Sequence, residues 1–472
     1  MVLESQVEKE QEALIHNVQS CVRIRSVRTP EQAAPGAPFG PGVQQALEWF
    51  LAEAARMGFK TRNIDGYVGT VEFGSGDVFG VMGHLDVVPE GDGWSVPPYA
   101  AAIKDGKLYG RGASDDKGPT LAVLHAMKVL KDSQWPLRRT IRLILGTDEE
   151  SGWADLDYYR QREELPSEGF TPDAKFPLIH AEKGLLQLEL SKKTKALSHI
   201  VSLTGGERPN IVPDHCHIRI KGIAESVIRE KIEAFSCPAE ISLDLLPSDN
   251  QEQTLLVKGA GAHGSLPQEG KNAALYAVQF LRTLPLDREE QALLQWISDQ
   301  PGNGFHGEGF DLALSDEVSG KLSLNVGILE IQTHTTRLVA DIRYPVTCQG
   351  EGIVEQISRV CKQEDYTVNV LVHQLPHHVA KDSDLVQTLL AAYHEVTGKD
   401  AYALAIGGGT YAKALPQGVA FGAVFPGEPD MAHCADEYIR IDHLLLLTKI
   451  YTQALFKVAA VDTSGVKPER NE

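Results

Sequence analysis

A histidine and an aspartate two residues apart, His84 and Asp86, follow an apolar run at residues 78–82. Side chains alternate between faces along a strand, so these two point to the same side. One imidazole nitrogen can bind a metal ion while a carboxylate fixes the tautomer through the other N–H group. A histidine at a strand end is more often an ordinary polar side chain, so the metal interpretation depends on the rest of the chain.

Three segments carry carboxylates that could complete such a site. Asp115 and Asp116 lie in a glycine-punctuated loop before a helix, Glu149 and Glu150 follow a strand, and Asp173 lies in a loop after a proline. The Asp115-Asp116 and Glu149-Glu150 pairs also have a simpler interpretation, because carboxylates stabilise the first turn of a helix.

A second histidine, His433, occurs late in the chain within the segment Asp430-Met-Ala-His. Two histidines and at least three carboxylates supply the nitrogen and oxygen donors that a pair of divalent ions needs. Such a pair can bind a water molecule, lower its pKa and polarise a carbonyl group. The combination therefore indicates hydrolytic chemistry.

In order and spacing, these motifs resemble the family of dinuclear zinc peptidases and deacylases, which includes aminoacylases, acylornithine deacetylase, a carboxypeptidase and bacterial dipeptidases. The resemblance runs from about residue 10 to residue 450 and is carried by four motifs: Gly83-His-Leu-Asp-Val-Val-Pro, Tyr109-Gly-Arg-Gly-Ala-Ser-Asp-Asp-Lys-Gly, Glu149-Glu150 and Asp430-Met-Ala-His433. Within the family the chain is most similar to the bacterial V-type dipeptidases, which cleave Xaa-His peptides and carnosine. The resemblance implies a metallo-dipeptidase that acts on unblocked dipeptides.

The resemblance also implies a role for each motif residue. One divalent ion would be bound by His84, Asp115 and Asp173, and the other by Asp115, Glu150 and His433, so that Asp115 bridges the two. The donor set suits zinc best, and also manganese or cobalt.

Two neighbouring carboxylates would serve the ligands and the reaction. The resemblance implies that Asp86 orients His84 and that Glu149 is the general base, which moves a proton from the bridging water to the leaving amine. It further implies a cis peptide between Asp115 and Asp116.

Four residues outside these motifs resemble substrate-contacting positions of the family. His263 would stabilise the oxyanion, Asn210 would contact the substrate, and Arg343 would bind its α-carboxylate. Gly408, in a run of three glycines, would allow close backbone approach; a plain turn is the alternative. Arg343 could equally form a salt bridge on a strand surface.

Composition bounds the class of protein. The chain has 472 residues and a net charge of −19, which predicts two or three domains and argues against binding nucleic acid or an anionic membrane. No stretch approaches the roughly 18–20 apolar residues of a membrane span, and the charged N-terminus has no signal core. The six scattered cysteines contain no Cys-x-x-Cys pair, which indicates free thiols and a cytoplasmic protein.

The periodicities predict an α/β catalytic domain with a mixed sheet flanked by helices, made of residues 1–184 and 381–472. Residues 185–380 are predicted to form an inserted α+β domain, and the resemblance implies that it is a lid of two ferredoxin-like units. Because two lid units in one chain would replace the paired lids of dimeric relatives, we expect a monomer. Predicted helices cover 3–26, 42–58, 120–132, 225–235, 271–283 and 350–363. Predicted strands cover 60–64, 68–73, 78–87, 139–145, 176–180, 185–191, 199–204, 216–221, 254–258, 322–331, 336–342 and 367–373.

Two other functions fit the same residues. An N-acyl amino acid deacylase would use the same metals with a different acyl pocket. A non-catalytic metal- or peptide-binding protein could keep the scaffold, although the intact Glu149 and the full ligand set favour an enzyme.

Overall fold

The computed structural model describes residues 2–247 and 252–460. The chain divides into two compact units. The terminal unit consists of the residues up to His180, Val379–Leu404 and the residues from Gly409 onward, and the insert unit of Ala181–His378 and Ala405–Gly408. The short return of Ala405–Gly408 to the insert unit differs from the sequence division, which kept residues 381–472 together.

The α-helices in the described residues are α1 (Val2–Lys9), α2 (Gln11–Val22), α3 (Pro41–Arg56), α4 (Lys117–Asp132), α5 (Ala154–Arg160), α6 (Glu225–Ala234), α7 (Ala273–Leu281), α8 (Arg288–Asp299), α9 (Gly350–Lys362), α10 (Asp384–Thr397) and α11 (Ile441–Ala459). Short 3₁₀ turns occur at Pro30–Gln32, Pro267–Glu269, Glu308–Phe310 and Tyr411–Ala414.

The strands are β1 (Lys60–Ile64), β2 (Val68–Gly74), β3 (Asp77–His84), β4 (Ala102–Lys104), β5 (Lys107–Tyr109), β6 (Arg139–Gly146), β7 (Glu168–Thr171), β8 (Ala174–Lys175), β9 (Leu178–Glu182), β10 (Gly184–Lys193), β11 (Ile200–Gly205), β12 (His215–Lys221), β13 (Ser242–Leu246), β14 (Glu252–Lys258), β15 (Ser315–Asp316), β16 (Gly320–Lys321), β17 (Ser323–Gln332), β18 (Thr335–Tyr344), β19 (Thr367–Gln374), β20 (His377–His378), β21 (Ala403–Ile406), β22 (Gln417–Ala420), β23 (Ala423–Val424) and β24 (Tyr438–Arg440).

The main sheet of the terminal unit is mixed, as predicted. Its strands lie in the order β1-β2-β6-β3-β7-β22-β9. The central pairs β6–β3, β3–β7 and β7–β22 are parallel, while β1–β2, β2–β6 and β22–β9 are antiparallel. Six consecutive residues of β3 are buried, which is typical of a parallel strand covered on both faces.

Helices complete the core of the terminal unit. Thirteen of the sixteen residues of α4 are buried, because α4 packs against α2 and α11 as well as against the sheet. Aromatic rings fill the centre of the unit, where Phe170 contacts the rings of Phe79, Phe421 and Tyr451 at centroid distances of 5.6–6.1 Å.

The insert unit is built on one antiparallel sheet of eight strands in the order β13-β14-β12-β11-β17-β18-β10-β19. Each half consists of a hairpin, a strand beside it and an outer strand, with α7 packed on the first half and α9 on the second. This is the ferredoxin-like strand arrangement, which confirms the α+β prediction of two such units. In the first half the fourth strand of this arrangement is β11, which comes first in the chain. β11 lies in the middle of the eight-stranded sheet, where it pairs with β17 and joins the two halves.

Most predicted elements are present, with bounds shifted by a few residues. The predicted helix 3–26 is divided into α1 and α2 at Glu10, and the strand predicted over 78–87 ends at His84. The helices α5 and α8 and several strands, among them β7, β13 and β22, were not predicted. The helix α8 begins with a capping box formed by Asp287 and Glu290, a signal that the sequence contains.

Two further findings bear on the class of protein. None of the helices that the structure describes has the length and apolar character needed to cross a membrane. All six cysteines are free, and three of them are buried.

The aromatic packing around Phe170 gives a prediction for stability. The Phe170→Ala variant should lower the free energy of unfolding by about 3–5 kcal/mol, because it leaves a cavity among three other rings. Urea denaturation measures this change. The control is Phe305→Ala, because the Phe305 side chain is 42% exposed. Equal unfolding midpoints for the two variants would contradict the packing described here.

Candidate metal centre and substrate-binding residues

Three neighbouring parallel strands of the terminal unit end at the predicted site. His84 is the last residue of β3, Glu149 and Glu150 follow the end of β6 at Gly146, and Asp173 follows the end of β7 at Thr171. Because β6, β3 and β7 are adjacent and parallel, their carboxyl ends lie at one edge of the sheet, where α/β proteins place their sites.

The other two predicted ligands arrive through loops. Asp115 lies just before α4, which begins at Lys117, and His433 lies between β23 and β24. The strand β24 pairs with β5, so the segments that carry Asp115 and His433 are held side by side. His433 has a left-handed φ of 64°, a conformation that costs energy in a residue other than glycine and is common at functional sites.

The structure brings His84, Asp115 and Asp173 together. The Nε2 atom of His84 lies 3.1 Å from Oδ1 of Asp115 and 3.6 Å from Oδ2 of Asp173. These three residues form a group whose donor atoms all lie within 4.8 Å of one another.

A second group consists of Asp115, Glu150 and His433. The Nε2 atom of His433 lies 3.0 Å from Oε2 of Glu150 and 3.3 Å from Oδ2 of Asp115. The two carboxylate oxygens of Asp115 therefore face different histidines, with Oδ1 towards His84 and Oδ2 towards His433.

The cluster carries more acidic than basic groups. Burial opposes a charge on either histidine, but hydrogen bonds that the imidazoles donate to the carboxylates outweigh it. They raise the pKa of His433 to about 11 and that of His84 well above its usual range. Burial and the charge of Asp115 raise the pKa of Glu150 to about 7. Burial also raises the pKa of Glu149 well above its usual value.

This donor set fits two divalent cations. Carboxylates gathered in a buried place repel one another, and positive charge bound among them relieves that repulsion. The ligand types are imidazole nitrogen and carboxylate oxygen, with one carboxylate shared, which are donors that zinc and similar ions accept.

Asp86 has a wider set of contacts than the sequence indicated. Its backbone carbonyl lies 3.0 Å from Nδ1 of His84, and its carboxylate Oδ1 lies 3.5 Å from the same atom. The carboxylate accepts hydrogen bonds from the backbone N–H groups of Glu149 at 3.2 Å and Glu150 at 3.1 Å. Asp86 thus links the end of β3 to the loop after β6.

The carboxylate of Asp116 has different partners from that of Asp115. The peptide between Asp115 and Asp116 is cis, which confirms the expectation from the resemblance. The Asp116 carboxylate accepts hydrogen bonds from the Thr120 hydroxyl at 2.6 Å and the His84 backbone at 3.2 Å. A Cβ atom on Gly83 would lie 1.9 Å from the Thr120 hydroxyl, so only glycine fits beside this pair.

Asp155 and Tyr411 also support the site, and the sequence analysis did not assign them. Oδ2 of Asp155 accepts hydrogen bonds from the Tyr411 hydroxyl at 2.5 Å and from the backbone N–H groups of Thr147 and Asp148. The ring of Tyr411 packs edge-on against His84. No local pattern in the sequence links residues 256 positions apart.

Within the insert unit, the predicted substrate residues His263 and Asn210 lie on paired segments. Ile211 pairs with His263 as an isolated antiparallel bridge, and the N–H group of Gly264 donates to the Asn210 carbonyl at 2.7 Å. The side chain of Asn325 holds the Asn210 segment by donating to the carbonyls on either side of it.

The imidazole of His263 has a defined orientation. Its Nδ1 atom lies 2.7 Å from the hydroxyl of Ser265 and accepts a hydrogen bond from the Ser265 N–H group at 3.2 Å. A neutral imidazole that accepts at Nδ1 carries its proton on Nε2. The Nε2–H group is therefore a donor.

Arg343 is already paired in the structure. Its guanidinium forms a two-point ion pair with Asp341, at 2.6 and 3.1 Å, and donates to the carbonyl of Gly407 at 2.7 Å. The side chain of Asp341 is fully buried, and that of Arg343 is nearly so. The salt-bridge interpretation and the carboxylate-binding interpretation are compatible, because three of the five guanidinium N–H groups are used in these contacts.

In the run of three glycines, packing requires a glycine at residue 407 but not at residue 408. A Cβ atom on Gly407 would lie 2.6 Å from Cβ of Ser265, whereas one on Gly408 would make an ordinary contact of 3.8 Å with Ile406. Gly407 is therefore the glycine that lets the run approach the His263 segment and receive the Arg343 hydrogen bond.

A third group of possible ligands, His199, Asp287 and Glu290, lies in the insert unit. Glu290 is buried and accepts hydrogen bonds from the backbones of His199, Ile200 and Asp287. Glu290 thus caps α8 with Asp287 and also holds the segment of His199 and Ile200, which accounts for the group without an ion.

Comparison with known proteins gives the family. The model of "Peptidase family M20/M25/M40" matches residues 80–457. A Bacillus subtilis protein named "Putative dipeptidase YtjP" is 39% identical over 467 residues, which cover 97% of this chain and 99% of that protein. A Staphylococcus aureus protein, "Putative dipeptidase SAUSA300_1697", is 35% identical and covers 96% of this chain and 98% of its own.

Solved structures share the fold at low sequence identity. Human carnosine dipeptidase 1 superposes with a TM-score of 0.61 at 16% identity, covering 96% of this chain and 98% of that one. The dipeptidase Dug1p from Saccharomyces cerevisiae gives a TM-score of 0.58 at 14% identity, covering 97% and 98%. Because the family model matches most of this chain, the chain belongs to peptidase family M20/M25/M40 and is a peptidase.

Proposed function

We propose that the protein is a metallo-dipeptidase whose site holds two divalent ions, with zinc favoured and manganese or cobalt also suited. The observation that carries the proposal is the position of Asp115, whose two oxygens face two histidines of separate donor groups. Relatives named as dipeptidases that match nearly the whole chain support the substrate class.

In this proposal His84, Asp115 and Asp173 hold one ion, and Asp115, Glu150 and His433 hold the other. Two ions held in this way would activate a water molecule and polarise the scissile carbonyl. The other steps belong to the chain's own residues.

Glu149 is the proposed general base. Its carboxylate accepts the proton of the attacking water and later delivers it to the leaving amine. The backbone N–H groups of Glu149 and Glu150 donate hydrogen bonds to Asp86 and so fix this loop. The proposed base, Glu149, and the proposed metal ligand, Glu150, are therefore held in place together.

His263, Asn210 and Arg343 are the proposed substrate contacts of the insert unit. The Nε2–H group of His263 supplies the donor that a developing oxyanion needs. The two guanidinium N–H groups of Arg343 that Asp341 and Gly407 do not engage would meet the substrate carboxylate, and Gly408 offers backbone approach. A fixed contact with the free C-terminus limits how many residues can follow the scissile bond.

We also propose a cytoplasmic monomer. The two halves of the insert sheet are joined by the pairing of β11 with β17 inside one chain, so a second chain is not needed to complete the sheet. The free cysteines agree with a reducing compartment.

The substrate class can be tested by comparing blocked and unblocked compounds. The metal-reconstituted protein should hydrolyse Ala-His, Leu-Leu and carnosine, and leave N-acetyl and N-succinyl amino acids intact. Release of amino acids, measured by chromatography, gives the rates. Turnover of the acylated compounds alone would identify a deacylase instead.

Replacing the proposed base should remove catalysis without removing metal. The Glu149→Gln variant should lose about 10²- to 10⁴-fold in kcat, the usual contribution of a general base, and keep the metal content of the wild type. Glu164→Gln, at an exposed glutamate nearby in the chain, is the control and should keep full activity. Hydrolysis that persists unchanged in Glu149→Gln would exclude Glu149 as the base.

The role of Arg343 predicts a change in KM. Lysine lacks the planar fork that pairs with carboxylates, so Arg343→Lys should raise KM for Leu-Leu by about tenfold or more, as the loss of a charged hydrogen bond of about 1.5–3 kcal/mol implies. Arg337→Lys is the matched control, because Arg337 lies on the same strand and pairs with Glu189 at the surface. The same KM in both variants and the wild type would count against substrate binding by Arg343.

A further inference from the structure

The carboxylate of Glu437 is completely buried. All of the hydrogen bonds described here that it accepts come from residues 111–115. Its Oε2 atom accepts hydrogen bonds from Nη1 of Arg111 at 2.7 Å and from the N–H group of Gly112 at 3.1 Å. Its Oε1 atom accepts from the N–H group of Ser114 at 2.9 Å, the Ser114 hydroxyl at 3.2 Å and the N–H group of Asp115 at 3.2 Å.

We infer that Glu437 is a positioning residue that sets the affinity of the site for metal by fixing the loop of Asp115. The inference rests on the proposed function, in which Asp115 binds both ions. The last of the five donors is the backbone of Asp115 itself, so a shift of Glu437 would shift the shared carboxylate.

The local fold explains why one carboxylate can reach the whole loop. The antiparallel pairing of β24 with β5 sets Tyr438 opposite Tyr109, and the N–H group of Gly110 donates to the Glu437 carbonyl at 2.9 Å. Glu437 thus stands beside the residues at which the Asp115 loop leaves β5. It also follows His433 by four positions, so it connects the segments of two proposed ligands.

Arg111 balances the charge of Glu437. This arginine is 1% exposed, its guanidinium also donates to the Glu90 carbonyl at 3.3 Å, and it lies over the ring of Trp94 at 5.3 Å. A buried ion pair that satisfies backbone donors holds its surroundings in one arrangement, and removing one partner leaves the other charge uncompensated.

Residues that hold a metal ligand in place without binding the metal themselves have a measurable effect on metal affinity. Partners that orient metal ligands usually change metal affinity by about 10- to 100-fold when they are replaced. Glutamine has the shape of glutamate, but its amide nitrogen would face N–H donors where an oxygen now accepts them. The Asp115 loop would then lose about half of its anchoring contacts.

The experiment measures the affinity of the full-length protein for Zn²⁺ by competition with a chromogenic chelator. Glu437→Gln should bind Zn²⁺ about 10- to 100-fold more weakly than the wild type. With metal held at saturation, its KM for Leu-Leu should change less than its kcat. Wild-type affinity in a folded Glu437→Gln variant would overturn the inference.

Glu290→Gln is the matched control. Glu290 is also a fully buried glutamate that accepts backbone hydrogen bonds, but in a helix cap of the insert unit. It should lower the melting temperature and leave Zn²⁺ affinity at the wild-type value. Equal losses of affinity in both variants would mean a general effect of destabilisation and would also overturn the inference.

Two milder variants keep the test decisive if Glu437→Gln does not fold. Ser114→Ala removes only the hydroxyl hydrogen bond and should weaken Zn²⁺ binding slightly, and Arg111→Lys should weaken it more. Unchanged affinity in both would contradict the inference. A wild-type protein that binds none of Zn²⁺, Mn²⁺ and Co²⁺ would instead refute the proposed function, so the two failures are distinguishable.

Discussion

The carboxylate of Asp115 is shared between two histidines, and the surrounding structure is organised to hold it there. Its oxygens face His84 and His433 at 3.1 and 3.3 Å, so a small rotation would disturb both groups. Buried carboxylates are costly unless donors satisfy them. Around the site, the loops that carry the ligands are held by other carboxylates that accept backbone N–H groups: Asp86, Asp155 and Glu437.

This arrangement separates two tasks. The parallel strands β6, β3 and β7 fix the general place of the donors, because their ends lie at one edge of the sheet. The buried carboxylates then fix the fine geometry by accepting hydrogen bonds from the backbone N–H groups of the loops that carry the ligands. In the insert unit, Asn325 holds the backbone on either side of Asn210, and Asp341 holds the side chain of Arg343. In both units, the groups proposed to do chemistry are therefore supported by residues that are themselves buried and fully engaged.

The sequence predicted the longer strands, the mixed sheet and the residues that converge, because motifs such as the Glu149-Glu150 pair lie directly after strong apolar runs. It did not predict β7, which leads to Asp173. It could not predict the contacts of Asp155 with Tyr411 or of Glu437 with the Asp115 loop. These contacts join segments hundreds of residues apart. Several of the donors to Glu437 are backbone N–H groups, which every residue except proline has and no sequence pattern marks. The sequence also left two possible partners for Arg343, because an arginine on a strand can pair with a carboxylate of its own chain or with a ligand. The structure shows the pair with Asp341.

The number of bound ions, and their dependence on one residue, tests the central claim most directly. Elemental analysis of the wild type and of Asp115→Ala, after reconstitution with zinc and removal of free metal, measures both. The account predicts two ions per wild-type chain and weakened binding at both sites in Asp115→Ala, because the shared carboxylate serves both. One ion or none in the wild type, or the loss of a single ion in Asp115→Ala with the other held as tightly as before, would contradict it.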